Sequence, residues 1–151
     1  MSVAIGAIVY ALTRSFAMAL GVLVGGVLID LDHFVDYFIY RGIHVNLKDM
    51  FHLSYNNLFP KFYLLLHSYE LVALMWILVI FFIRNKLVTG LAIGFTIHII
   101  QDEVGNCGNP LFYFLTFRIF NKFDGDKMVP RKFRGKPSPP LSSRWRNGSS
   151  P

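Results

Sequence analysis

Residues Leu64–Ile83, LLLHSYELVALMWILVIFFI, decide the class of fold. Only His67, Ser68 and Glu70, near the start, interrupt the apolar and aromatic run. About 20 residues at ~1.5 Å of rise each suffice for a ~30 Å hydrocarbon core. The basic turn Arg84-Asn85-Lys86 follows, and Leu87–Ile100 is a second long apolar run. Upstream, Val3–Leu12 is short, whereas Phe16–Ile29 is apolar with a helical pattern that runs on through an acidic cluster to Tyr40. Downstream, Leu111–Phe120 carries Arg118 and is short enough to be a span, a re-entrant piece or an interfacial helix. The pattern predicts an all-α, polytopic transmembrane bundle of about four spans.

Composition agrees. The chain of 151 residues is 54% hydrophobic and only 16% charged, against about a quarter charged for soluble domains. Residues 1–129 hold nine basic and nine acidic side chains, so Arg131, Lys132, Arg134, Lys136, Arg144 and Arg146 carry the whole net charge of +6. Residues 1–129 therefore read as a helical membrane domain, and residues 130–151 as a disordered Pro/Ser/basic tail. A basic tail behind an apolar body fits an anionic lipid surface, and no nucleic acid partner is expected. The positive-inside rule puts Arg14, the Arg84/Lys86 turn and the tail on the cytoplasmic side. Arg41 to Lys61 reads as a polar loop holding His44 and His52.

Ionisable groups inside apolar segments are costly and are functional candidates by default. Three groups stand out: Asp30-Leu31-Asp32-His33 with Asp36 beyond, His67-Ser68-Tyr69-Glu70, and His98 with Asp102 and Glu103. His98 and Asp102 share a helix face at i, i+4, as His67 and Glu70 do at i, i+3. Counted from the basic turn, Glu70 lies ~20 Å up its helix and His67 ~24 Å, with His98 ~17 Å and Asp102 ~23 Å up the returning one. Asp30 is ~24 Å along from Arg14. The groups should thus meet in one layer near the outer end of the bundle. No basic residue is expected at that level, so a divalent cation is the natural counter-charge. Imidazole and carboxylate donors without thiolate suit zinc, manganese or iron(II), as one or two ions.

The same residues carry a resemblance. Gly25-Gly26-Val27-Leu28-Ile29-Asp30-Leu31-Asp32-His33 resembles the G-x-x-x-P-D-x-D-H signature of membrane-bound metal-dependent hydrolases, the family of the LexA-binding inner membrane-associated hydrolase, with Ile29 in place of the proline. Leu66-His67-Ser68 is similar to its His-Ser motif, and Gly94 to Asp102 to its closing G-x-x-x-H-x-x-x-D. The resemblance implies a metal site built from Asp30, Asp32, His33, His67, His98 and Asp102, in a prokaryotic inner (cytoplasmic) membrane. Glu70 is the expected general base or an extra ligand. The expected activity is hydrolysis of a membrane-associated or lipid-derived ester or phosphoester. An ion or proton transporter and a non-catalytic metal-binding membrane protein are the alternatives. A transporter should spread its polar groups along a path, whereas these crowd one end. Asp36 and Asp49 read as solvated charges, Glu103 as exposed, and Cys107 as a loop residue near the site.

Overall fold

The computed structural model describes residues 2–43, 45–105 and 108–135. These residues are helical, in the order α1 (Ser2–Thr13), α2 (Phe16–Leu28), α3 (Leu31–Arg41), α4 (Leu47–Tyr55), α5 (Tyr69–Phe81), α6 (Lys86–Gly105), α7 (Leu115–Phe120) and α8 (Gly125–Met128). Short 3-10 turns at Pro110–Tyr113 and Arg131–Phe133 complete it. α4 replaces the loop expected between Arg41 and Lys61. Asn46 starts it by accepting a hydrogen bond from the Asp49 amide at 3.2 Å. His52 is exposed on it, while His44 and Cys107 lie outside the described residues.

Two helical stretches are long and apolar enough to cross a membrane, Phe16–Arg41 and Lys86–Gly105. The first is α2 and α3 taken together, with a turn at Ile29–Asp30. The expected span Leu64–Ile83 is shorter than its hydropathy suggests, because helix α5 begins only at Tyr69 and has 13 residues. Its missing first turn has a physical cause. The amides of Leu66 and His67 donate to Asp32 Oδ2, at 2.8 and 3.2 Å, and Leu64 takes a left-handed φ of 38°. Ser68 then caps the helix by accepting from the Leu71 amide at 3.2 Å. Leu111–Phe120 is split into a 3-10 turn and the six-residue α7, which is too short to cross.

α2 and α6 pack along their length, with α1 against α2 and α5 against α6. Glycine permits the α2–α6 contact. A Cβ on Gly21 would stand 2.2 Å from the Leu87 carbonyl oxygen, and one on Gly90 would stand 2.1 Å from that of Met18. Gly25 and Gly94 complete a small-xxx-small pair on each helix, the pattern that lets two apolar helices approach backbone to backbone. α5 joins α6 through the Trp76 indole, which donates to Thr96 Oγ1 at 3.0 Å. Many of its apolar side chains, such as Leu74, Ile80 and Phe81, remain exposed.

Toward the C-terminal end of α6, a hydrophobic core joins Phe95 and Ile99 of that helix and Val72 of α5 to Tyr37, Leu53, Phe59, Phe62, Phe112 and Met128. The C-terminal part of the chain clasps this end. The Phe62 amide donates to the Phe123 carbonyl at 3.0 Å, and the Gly135 amide to that of Asn56 at 2.9 Å. Residues 130–135, read in the sequence as part of the tail, take part in this clasp. Arg134 holds Asp126 at 2.6 Å and the Phe59 carbonyl at 3.1 Å.

Replacing Gly90 by leucine forces backbone against side chain at the α2–α6 contact, and overpacking of this kind costs roughly 1–3 kcal/mol. Thermal unfolding in detergent should show a clear loss of stability for Gly90→Leu. Gly105→Ala, where an added Cβ meets nothing within 4 Å, should unfold at or above the wild-type temperature.

Candidate metal centre

Four positions of the chain deliver donors to one spot. Asp30 sits at the α2–α3 turn, His33 in the first turn of α3, His67 in the loop before α5, and His98 and Asp102 one turn apart on α6. Asp30, His33 and His67 form one group whose donor atoms all lie within 4.8 Å of each other, and His67, His98 and Asp102 form a second. Both groups share His67.

The two best-placed imidazoles are held in the same way. His67 Nδ1 lies 2.9 Å from Asp32 Oδ1, and His98 Nδ1 lies 3.0 Å from the Gly26 carbonyl oxygen. Each Nδ1 thus faces an acceptor, which keeps a proton there and turns Nε2 toward the carboxylates. Both Nε2 atoms turn to the same carboxylates. His67 Nε2 is 3.1 Å from Asp102 Oδ2 and 3.9 Å from Asp30 Oδ1. His98 Nε2 is 3.2 Å from Asp30 Oδ1 and 3.5 Å from Asp102 Oδ2.

The donor set fits a divalent cation. His67 is buried, and its Nε2 makes no well-aligned hydrogen bond despite the nearby Asp102 oxygen. A buried imidazole nitrogen facing two carboxylates that is not itself hydrogen-bonded is poised to donate to a metal. Each Nε2 facing a carboxylate needs positive charge between them, and either a proton on the ring or a bound cation supplies it.

Several candidate residues have other duties. Asp32 is buried and both its oxygens are engaged, Oδ1 with His67 Nδ1 and Oδ2 with the amides of Leu66 and His67. It orients a ligand, where a ligand itself was expected. Glu70 is not among the clustered donors: it accepts from the Leu115 and Thr116 amides and the Thr116 hydroxyl, each at 2.9 Å. It anchors the N-terminus of α7, a place where a carboxylate satisfies orphan amides. Asp36, expected to be solvated, is 2% exposed and accepts from the Tyr63 amide. Asp49 is ion-paired with Arg41 at 3.0 Å. Glu103 is half-buried and accepts from the Tyr69 hydroxyl.

The expectation of no basic residue at this level is also corrected. Arg118 is fully buried beneath the site, but its Nη1 and Nη2 donate to the carbonyls of Leu64 and His67, at 2.8 and 2.9 Å. An arginine inside an apolar run was the signal available in the sequence. Its guanidinium is spent on the loop backbone that carries His67.

Compared with known proteins, the chain matches no family model, no curated protein and no solved structure. The His/Asp cluster is therefore read from its own geometry.

Metal content of the detergent-purified protein, measured by elemental mass spectrometry, checks this assignment. Wild type should retain a divalent ion, and His67→Ala and His98→Ala should lose it. Asp32→Ala removes the acceptor that orients His67 and should weaken binding about 10–100-fold, the usual effect of losing an outer partner. Glu70→Gln should bind metal like wild type.

Proposed function

We propose that this chain is a membrane-embedded hydrolase that depends on a divalent metal, zinc by preference, with one or two ions bound. Its substrate is a membrane-associated or lipid-derived ester or phosphoester. The observation that carries the reading is the pair of imidazoles with fixed Nδ1 atoms, His67 and His98, presenting Nε2 to Asp30 and Asp102. The motif resemblance supports the same reading. In this proposal α1 and α5 join the two long helices as further spans, through tilt or local thinning of the bilayer. The basic turns and tail face the cytoplasm of a prokaryotic cell, against anionic lipid.

His67, His98, Asp102 and Asp30 would hold the metal, with His33 beside them. A bound divalent ion there supplies Lewis acidity for attack on an ester or phosphoester. The protein's own part is positioning and proton handling. Asp32 and the Gly26 carbonyl keep the two imidazoles in the donor tautomer. Asp30 faces them through Oδ1 and is the most exposed carboxylate of the cluster. Oδ2 is then available to receive a proton from the attacking water, the duty the sequence had suggested for Glu70.

The polar groups that meet here converge on one layer, whereas a transporter needs them spaced along a route. A saturated, non-catalytic metal site would give the opposite result in the assay that follows.

Turnover of p-nitrophenyl esters and of bis-p-nitrophenyl phosphate, in detergent micelles, should be lost on chelation and restored by added zinc. His98→Ala should fall by more than the ~10–100-fold typical of losing an outer partner. Full metal occupancy with no turnover of either substrate class would favour the non-catalytic reading.

A further inference from the structure

A cavity of about 290 Å³ opens beside the cluster, between α3 and α4. Asp30, His33 and Asp102 line it together with Met50 and Phe51. Ser54 belongs to the same wall, and its buried hydroxyl has no hydrogen-bond partner. A narrow cleft of about 30 Å³, also lined by Ser54, His33 and Asp102, continues inward to His67. At its mouth α4 presents an apolar edge, with Leu47, Phe51 and Tyr55 at 51%, 64% and 83% exposure.

The volume is at the lower end of the ~300–1,000 Å³ usual for whole ligands. It admits one chain, and a two-chain lipid would not fit. A second cavity, of about 270 Å³ on the opposite side of α3, is lined by Leu31, Val35 and Asp36. The Asp36 and Asp32 carboxylates there are taken by the Tyr63, Leu66 and His67 amides. Of these two cavities, only the first combines apolar walls with donor groups facing the cluster.

We propose that this cavity takes the single acyl chain of a membrane amphiphile, with its ester or phosphoester group beside Asp30 and Asp102. The choice of reacting group rests on the hydrolase reading above; the binding of the chain does not. In the reaction, water's oxygen bonds to the acyl carbon or phosphorus and the bond to the leaving oxygen breaks. One proton of the water passes to that oxygen and the other remains with the new acid.

The test uses the full chain in phosphatidylcholine vesicles with a lysophosphatidylcholine probe carrying a diazirine in its acyl chain. Labelled residues are mapped by mass spectrometry, with zinc and again with EDTA. Labelling is expected to concentrate on Met50 and Phe51 and to drop to the level of lipid-facing α5 residues in Met50→Trp, which fills the cavity. A two-chain phosphatidylcholine probe should label α5 and spare Met50. Phe51→Trp, at an exposed position, obstructs the same mouth if Met50→Trp does not fold. Equal labelling of α4 and α5 by the single-chain probe, or labelling unchanged by the folded tryptophan variant, overturns the proposal. Photolabelling requires no turnover, so a protein that binds the probe here but hydrolyses nothing would sink the hydrolase reading alone.

Discussion

The close approach of α2 and α6 is the constraint on which the rest of the structure depends. At Gly21 and Gly90 the two backbones come near enough that no side chain fits between them. That contact fixes the rotation and height of α6 relative to α2. It is also why His98, two turns beyond Gly90, reaches the Gly26 carbonyl with Nδ1. A wider crossing, such as leucine-faced helices make, would leave this imidazole short of its acceptor and of Asp30. Small residues on both helices let the backbones approach this closely, so van der Waals contact runs along the seam.

The second organising device is the loop before α5. Its residues are apolar enough to continue a helix, but two polar groups compete for their backbone. Asp32 takes the amides of Leu66 and His67, while Arg118 takes the carbonyls of Leu64 and His67. A buried carboxylate and a buried guanidinium therefore grip opposite edges of one short segment. Asp32 has both oxygens engaged, and Arg118 places two of its nitrogens on backbone carbonyls, which is how such groups are tolerated away from water. The result holds His67 at the centre of both donor groups.

Much of the site was legible in the sequence because ionisable residues are conspicuous in an apolar chain. Asp30, His67, His98 and Asp102 could be placed at a common depth by counting residues along helices, since the rise per residue is fixed. What counting could not reveal was the division of labour among the carboxylates. Asp32, Glu70 and Asp36 look alike in sequence, yet one orients an imidazole, one anchors α7 and one holds the Tyr63 amide. Those roles depend on which backbone groups lack partners, and that is a property of the folded chain.

The sequence by itself determined the helical character of the chain, the apolar segments, the basic bias of the C-terminal residues and the inventory of metal-type donors. These follow from local composition and periodicity, which need no knowledge of what lies across the molecule. Tertiary structure alone decided where α5 begins, that α4 exists beside a cavity, and which nitrogen of each histidine turns to the carboxylates. Those outcomes come from competition between side chains and backbone groups far apart in the chain, and their relative positions are set only when α2 and α6 have packed.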